Sequence, residues 1–162
     1  MKKRFTTYFQ SPLGIVEITG TDTHIASVNF VIDEGESSES LPEIMVQCQK
    51  ELKEYFAGER KEFSIKTKAE GTDFQKTVWK QLIAIKYGET KSYGDIAKQM
   101  KDINASRAVG HANGKNPIAI IVPCHRVIGE SGKLTGYAGG MWRKQWLLDL
   151  EGNISGRNPT LF

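Results

Sequence analysis

Eleven residues decide how this chain is organised, and they read Ile118-Ala119-Ile120-Ile121-Val122-Pro123-Cys124-His125-Arg126-Val127-Ile128. Most of the stretch is apolar and is therefore expected to be buried, yet a thiol, an imidazole and a guanidinium follow one another at its middle. Burying such groups is costly unless they are hydrogen-bonded or used chemically. Two interpretations are open: a structural cysteine beside a hydrogen-bonded histidine, or a reactive thiol with its base.

Length and composition exclude several classes of protein. The chain has 162 residues, 39% of them hydrophobic and 25% charged, which is typical of a soluble globular protein. The longest unbroken apolar run, residues 118–122, is too short to span a membrane. Its two cysteines, Cys48 and Cys124, and its three histidines lack the spacing of a zinc site. We therefore expect a cytoplasmic protein with reduced thiols and without a metal.

The two parts of the chain differ in charge. Residues 71–162 contain 13 lysine and arginine residues against 7 aspartate and glutamate residues, whereas residues 1–70 contain 9 against 12. The second part is therefore the better candidate for binding a polyanion, although an ordinary solvated surface would explain the same numbers.

The first part has the pattern of a small α+β unit. Two strand patterns meet at the turn formed by Ser11-Pro12-Leu13-Gly14, and an apolar stripe that includes Cys48 recurs at helical spacing further on. Cys48 is interpreted as a core residue. The predicted elements are strands at 5–10, 14–20 and 25–32, a helix from 41 to 58, and a further strand candidate at 61–66.

The second part begins with helices. Thr72 and Gln75 have the spacing of a capping box, and Ser92 and Asp95 form a second cap motif. After the three-residue connection 101–103, Asn104 is predicted to cap a third helix, which ends at Gly114. Two short helices joined in this way form a helix-turn-helix, although many helix pairs that do not bind DNA share the pattern.

The composition of the third of these helices favours close approach to DNA over sequence-specific reading of base edges. It contains mostly small residues and one arginine, Arg107, whereas a helix that reads the major groove presents several long polar side chains. Small residues suit a narrow minor groove. Arg107 is either a wedge in the base stack or a solvated surface residue.

The final segments supply a candidate pocket wall and a candidate acid. Glycines of the loop 135–140 make room for a flat ligand beside Tyr137. The last helix, residues 141–151, is predicted to pack Trp142, Trp146, Leu147 and Leu150. Glu151 would lie at its C-terminal end, where the helix dipole disfavours a carboxylate, so a histidine partner is expected.

A reactive Cys124 needs a base, because the thiolate is the nucleophile and an isolated thiol is mostly protonated at neutral pH. His125 is adjacent, but neighbours on an extended segment point to opposite sides, so a bridging water is expected. Glu151 would then hold the other nitrogen of the ring, which gives a cysteine form of the triad.

Several motifs in order resemble the O6-alkylguanine-DNA alkyltransferase family. The resemblance covers about residues 73–152, and residues 1–70 match only loosely. The motifs are Ser92-Tyr93-Gly94-Asp95-Ile96-Ala97, Ser106-Arg107-Ala108-Val109-Gly110, Asn116-Pro117, Pro123-Cys124-His125-Arg126-Val127, Gly136-Tyr137-Ala138-Gly139-Gly140 and Trp146-Leu147-Leu148-Asp149-Leu150-Glu151-Gly152.

The resemblance implies an α+β protein with a small ribonuclease-H-like N-terminal domain, residues 1–70. A mainly helical, winged-helix-like domain with a helix-turn-helix, residues 71–162, would accept the alkyl group. The implied activity is repair by direct damage reversal, in which one alkyl group moves irreversibly from O6-alkylguanine, or from O4-alkylthymine, in double-stranded DNA. No cofactor would be required, and we expect a monomer that does not bind membranes.

The same resemblance assigns a role to individual residues. Cys124 would accept the group, with His125 as base, Glu151 orienting it and Asn116 bracing the turn. Around the flipped base, Arg107 would fill the gap in the stack, and Tyr93, Val127, Tyr137 and Ala138 would contact the base.

Two departures and three alternatives accompany this interpretation. Lys86 replaces a frequent proline, and His111 interrupts the small residues of the third helix, where it would add a phosphate contact or crowd the groove. The alternatives are a lesion-recognition protein that lacks an acceptor thiol, a helix-turn-helix transcription regulator, and a cysteine hydrolase. Cys124 argues against the first, and the Cys-His-Glu set is unexplained by the second.

Overall fold

The chain begins with three antiparallel strands in sequence order. In the computed structural model, which describes residues 3–132 and 137–155, β1 (Phe5–Ser11) pairs with β2 (Gly14–Gly20), and β2 pairs with β3 (Ile25–Val31). The hairpin register joins Ser11 to Gly14, whose φ of 108° suits a glycine in a tight turn. Alternate side chains such as Val16 and Ile18 are fully buried, which is the period of a strand with one face on the core.

One helix, α1 (Glu43–Phe56), covers this sheet with the predicted apolar face. Met45, Cys48, Leu52 and Tyr55 have no exposed surface, so the core interpretation of Cys48 is confirmed.

The predicted strand at 61–66 is wrong. The backbone N–H of Ser64 donates to Glu51 Oε1 at 2.9 Å instead of joining a ladder. Backbone pairing occurs just afterwards, where Ile25 N donates to Lys66 O at 2.9 Å and Lys68 N donates to Ile25 O at 3.0 Å. From Glu62 onward the segment alternates polar and apolar residues like a strand, but the buried carboxylate of Glu51 accepts the hydrogen bond of the Ser64 backbone.

The helices of the second part begin where their caps predicted. Both capping boxes are formed, Thr72 with Gln75 and Ser92 with Asp95. The described elements are α2 (Asp73–Ile83), β4 (Lys91–Ser92), α3 (Tyr93–Gln99), α4 (Ser106–Gly114), β5 (Val127–Ile128) and α5 (Met141–Ser155), with β4 and β5 paired in parallel.

The predicted cap at Asn104 is wrong, because the connection between α3 and α4 is itself ordered. Residues Ile103–Ala105 form a 3-10 turn, and the Asp102 side chain accepts a hydrogen bond from Asn104 N at 3.2 Å. Asn104 is thus a donor inside the turn, and α4 starts at Ser106 without a side-chain cap.

The last helix differs from its prediction in phase and length. Its buried face consists of Lys144, Leu147, Leu148 and Glu151, whereas Trp142 is 57% exposed. The helix continues to Ser155, so Glu151 is not at its end. Leu147 is buried as predicted, but hydrophobicity did not predict the rest of this face, because two of its residues are charged. Two residues of the predicted glycine loop, Thr135 and Gly136, lie outside the described residues.

The described residues divide into two compact units. One contains the residues up to Glu70 together with Pro117–Ala119, which pair with β3 through the hydrogen bond from Val28 N to Pro117 O. The other contains Gly71–Asn116 and the described residues from Ile120 onward. Within the described ranges, no helix combines the length and apolarity that crossing a bilayer requires.

Candidate active site

Cys124 lies in a tight turn. Residues Cys124–Arg126 form a 3-10 helix, closed by hydrogen bonds from Arg126 N to Pro123 O (3.0 Å) and from Val127 N to Cys124 O, and Cys124 N donates to Val122 O (2.8 Å) at its start. The expectation of an extended segment is therefore wrong, and successive side chains are about 120° apart instead of on opposite sides. A 3-10 turn directs Cys124, His125 and Arg126 into three different surroundings, all of them buried.

Two asparagines hold this turn by its carbonyl groups. Asn116 Nδ2 donates to Val122 O at 2.8 Å, and Asn113 Nδ2 donates to Cys124 O at 3.2 Å. The Cys124 carbonyl also accepts from Val127 N, so two hydrogen bonds occupy its two lone pairs. Asn113 was missed, because an asparagine near the end of a helix is usually interpreted as a cap. Its position one turn after Val109 on the buried face of α4 was the available signal.

Glu151 holds both residues that follow the thiol. Its Oε2 lies 2.6 Å from His125 Nε2, and its Oε1 accepts from Arg126 Nε at 2.8 Å. Gly88 N donates to the same carboxylate at 3.2 Å, and Arg126 Nη1 donates to Ile85 O at 2.7 Å. The sequence predicted the pairing of Glu151 with His125, but it did not identify Arg126 as part of the site.

The charges of this cluster favour a neutral histidine. Burial lowers the pKa of His125, which Glu151 counteracts and Arg126 and Lys144 reinforce. Burial alone would raise the pKa of Glu151, but His125 and Arg126 hold it well below its usual range. Because arginine is always protonated, Arg126 supplies the positive charge that Glu151 requires. His125 therefore has no need to be charged.

The hydrogen bond to Glu151 also selects the tautomer of His125. An ionised carboxylate only accepts hydrogen bonds, so Nε2 carries the proton and Nδ1 has the free lone pair. Nδ1 is buried and has no hydrogen-bond partner among the described residues. His125 is thus arranged to accept a proton at Nδ1.

The two thiols have different surroundings. Burial raises the pKa of the Cys124 thiol, and the side chain of Asn116 and the charge of Lys144 oppose that rise. For Cys48, burial and the charge of Glu51 both act upward and raise the pKa to about 12. Only a thiolate is nucleophilic, so Cys124 is the better candidate.

An open cleft of about 740 Å³ runs along the outer face of α4. The cleft is lined by Tyr93, Arg107, Tyr137 and Ala138, four residues that the sequence analysis assigned to DNA binding. Its described lining does not include Cys124. Burial raises the pKa of the Tyr137 hydroxyl well above the usual value, and the charge of Cys124 adds to that rise. That hydroxyl has no hydrogen-bond partner within the described part of the chain. Val127, in contrast, is completely buried in β5.

Arg107 and His111 also face a second groove. This groove has a volume of about 620 Å³ and extends to the start of α2, where Thr72, Phe74 and Gln75 line it. Trp79 is 4% exposed and donates from Nε1 to Ala112 O at 2.9 Å, which ties α2 to α4. Lys86, the other departure, is exposed and lines neither cavity.

Comparison with known proteins gives consistent matches along the chain. Residues 73–153 match the family model described as the 6-O-methylguanine DNA methyltransferase DNA binding domain, and residues 4–69 match the ribonuclease-like domain of the same enzymes. A methylated-DNA–protein-cysteine methyltransferase of Methanosarcina acetivorans is 49% identical over 152 residues, which cover 90% of this chain and 96% of the relative.

Solved structures agree with these matches. A crystal structure of Mycobacterium tuberculosis O6-methylguanine methyltransferase is 46% identical, with a TM-score of 0.83, and covers 98% of this chain and 96% of that one. A Mycobacterium tuberculosis OGT in complex with DNA is 47% identical, with a TM-score of 0.82, and covers 91% and 92% of the two chains.

Proposed function

The chain belongs to the 6-O-methylguanine DNA methyltransferase family, and we propose that it repairs DNA by moving the alkyl group of O6-alkylguanine to Cys124. The sulfur forms a bond to the alkyl carbon while the bond from that carbon to O6 breaks. The electron pair of the broken bond passes to the guanine, and the thiol proton finally resides on guanine N1. The thioether is not reversed, so each molecule acts once.

We assign the proton transfer to His125. Its Nδ1 takes the thiol proton through a water, and Glu151 fixes the ring by accepting from Nε2. Arg126 keeps Glu151 ionised, and Asn116 holds the turn through the Val122 carbonyl. The observation that carries this assignment is the 2.6 Å contact between His125 and Glu151, which leaves Nδ1 as the free base.

DNA binding is assigned to the outer face of α4. A base inside a duplex cannot reach a buried sulfur, so the nucleotide must be flipped out. Arg107 is exposed and lies between the two grooves, which suits insertion into the gap in the stack. Tyr93, Tyr137 and Ala138 line the larger cleft and would contact the flipped base. The backbone of Val127 would bind its amino group. If the Cys124 carbonyl does so too, Asn113 must release it.

The remaining assignments follow from the same chemistry. We place the acceptor reaction in residues 71–162 and treat 1–70 as a separate N-terminal domain. An acceptor thiol must stay reduced, which favours the cytoplasm. O4-alkylthymine, a smaller base with the same kind of alkyl–oxygen bond, is a second substrate. All the residues assigned to the site belong to one chain, so the proposed active form is a monomer.

The test is intact-mass analysis after mixing the protein with duplex DNA that contains one O6-methylguanine. We expect one methyl group per chain, located on Cys124 by peptide mapping, and no further turnover with excess DNA. Cys124→Ala should gain no mass, and Cys48→Ala should behave like the unmodified sequence. A chain that binds the lesion without gaining mass would instead be a lesion-recognition protein, and methylation of Cys48 would contradict the assignment.

A further inference from the structure

The larger cleft on the outer face of α4 contains an acidic side chain. Beside Arg107 and Lys115, its described lining includes the exposed carboxylate of Glu130. Among the residues that the structure describes, no cation forms an ion pair with this carboxylate. Duplex DNA carries one negative charge per about 1.7 Å of its axis. An uncompensated acid on the proposed DNA-binding face therefore opposes binding and requires an explanation.

The parallel pair of β4 and β5 fixes where this carboxylate lies. Ser92 is paired with Ile128, and two residues beyond each of them the chain reaches Gly94 and Glu130. Glu130 Oε1 accepts a hydrogen bond from Gly94 N at 2.7 Å. That N–H lies in the first turn of α3, where backbone donors have no partner inside the helix. The negative charge is therefore held at one place in the cleft.

Gly94 allows the carboxylate to come this close. A Cβ at position 94 would overlap Glu130 Oε1, so any side chain there would displace the carboxylate. Gly94 directly follows Tyr93, which also lines the cleft and is assigned to the flipped base. The acid is thus held beside the residue that would meet the damaged nucleotide.

We propose that Glu130 determines the selectivity of the cleft for damaged DNA, by acting as a fixed negative charge that weakens binding to undamaged duplex. The inference rests on the proposed function, because it takes this cleft as the DNA-binding face. Phosphate contacts supply most of the affinity for any duplex, with or without a lesion. Only a lesion adds the contacts of a flipped base. A repulsive charge lowers the shared part of the affinity, so less protein is held by the large excess of ordinary DNA.

The first test measures binding to a duplex without a lesion, by fluorescence anisotropy from 50 mM to 200 mM salt. Glu130→Gln removes the charge but keeps an oxygen that can accept from Gly94 N. We expect tighter binding at 50 mM salt and a steeper dependence on salt. One charge corresponds to a slope of about 0.9, so the advantage of the variant should shrink about threefold to fourfold by 200 mM.

Two further variants separate charge from structure. Glu130→Ala removes both the charge and the hydrogen bond, and it should gain as much affinity as Glu130→Gln. Glu89→Gln makes the same change in net charge at an exposed residue that lines neither groove, and it should bind like the parent.

Three outcomes would overturn the inference. The first is a Glu130→Gln variant with the affinity and salt dependence of the parent. The second is a gain confined to Glu130→Ala, which would assign the effect to the contact with Gly94. The third is an equal gain in Glu89→Gln, which would assign it to net charge alone.

The second test measures the consequence for repair. Transfer from a duplex with one O6-methylguanine is followed while undamaged duplex is added, and each rate is compared with that of the same protein without competitor. Glu130→Gln should lose half of its rate at about threefold less competitor than the parent, and equal concentrations would contradict the proposal. Because the first test contains no lesion, failure of methyl transfer in the parent would count against the proposed function alone.

Discussion

The guanidinium of Arg126 and the carboxylate of Glu151 form a buried two-point ion pair, with Nε–Oε1 at 2.8 Å and Nη2–Oε2 at 3.1 Å. Such paired geometry between arginine and a carboxylate is both strong and directional. Since Arg126 neutralises Glu151, His125 can donate to the same carboxylate and remain uncharged. The protonation state of His125 therefore depends on the ion pair between Arg126 and Glu151.

Glu151→Gln should slow methyl transfer by about 10²- to 10⁴-fold, the usual contribution of a correctly positioned general base. It also leaves Arg126 buried without a counter-charge, so we expect a loss of about 3–5 kcal/mol in the free energy of unfolding. Quench-flow transfer assays and urea denaturation measure the two effects. Asp149→Asn removes an acid of α5 that instead accepts from Gln145 at 2.7 Å, and it should change neither the rate nor the ion pair.

The stability of the protein should decrease as the pH falls below about 6.5. His125 has a pKa lowered from 6.5 by burial, so the unfolded chain takes up a proton in a pH range where the folded protein does not. One such proton contributes about 1.4 kcal/mol per pH unit, and the contribution is recovered as the pH rises through 6.5. Urea unfolding at pH 7.5, 6.5 and 5.5 measures the slope. His125→Asn should have a shallower slope, and identical slopes would contradict a buried neutral His125.

Asn113→Ala should slow transfer without weakening DNA binding. The variant removes the hydrogen bond to the Cys124 carbonyl, which is expected to cost about 1 kcal/mol of stability. The outer face of α4 is unchanged, so the dissociation constant for lesion DNA should be too. Single-turnover rates at saturating DNA and fluorescence anisotropy separate the two quantities. Asn153→Ala, an exposed residue of α5, serves as control. If transfer remained as fast as in the parent, the carbonyl contact would have no role in placing the sulfur.

Arg107→Ala should impair repair of duplex DNA far more than reaction with the free base. We expect about tenfold weaker repair of the duplex, equivalent to about 1.4 kcal/mol, and little change with free O6-methylguanine. An equal loss on both substrates would remove the wedge role. Repeating the binding assay at several salt concentrations tests a phosphate contact, because each lost contact lowers the dependence on salt.

Gly110→Ala should weaken the repair of duplex DNA without lowering the stability of the protein. A methyl group at this position would contact the Tyr93 ring at 3.6 Å, an ordinary van der Waals distance, and alanine favours a helix over glycine by about 0.8–1 kcal/mol. The variant should therefore fold with equal or higher stability. Because Gly110 and Tyr93 both line the cleft, the extra methyl should weaken duplex repair. A variant with full repair activity would show that DNA does not approach α4 closely there.

Local chemistry was sufficient to predict much of this fold from the sequence. The first three strands follow from strand patterns bounded by turn residues, and α2 and α3 start at capping boxes whose partners are three residues apart. These signals depend on neighbouring residues, so they survive without knowledge of the rest of the chain. The connection before α4 was predicted wrongly. Asp102 and Asn104 are both residue types that cap helices, and only the ordered turn shows which side chain accepts the hydrogen bond.

The sequence by itself determined which residues have reactive groups: Cys124, His125 and Glu151 are recognisable from type, spacing and motif. The tertiary structure decided how they are charged. In the sequence, Arg126 lay in a stretch expected to be buried but had no assigned partner, Lys144 was not singled out, and Trp142 resembled a core residue. The phase of α5 on the turn of Cys124 gave Arg126 its partner, buried Lys144 and exposed Trp142. Burial strengthens each charge interaction, so pairs that bring together residues about 20 to 27 positions apart set the protonation of the site, and no local pattern encodes them.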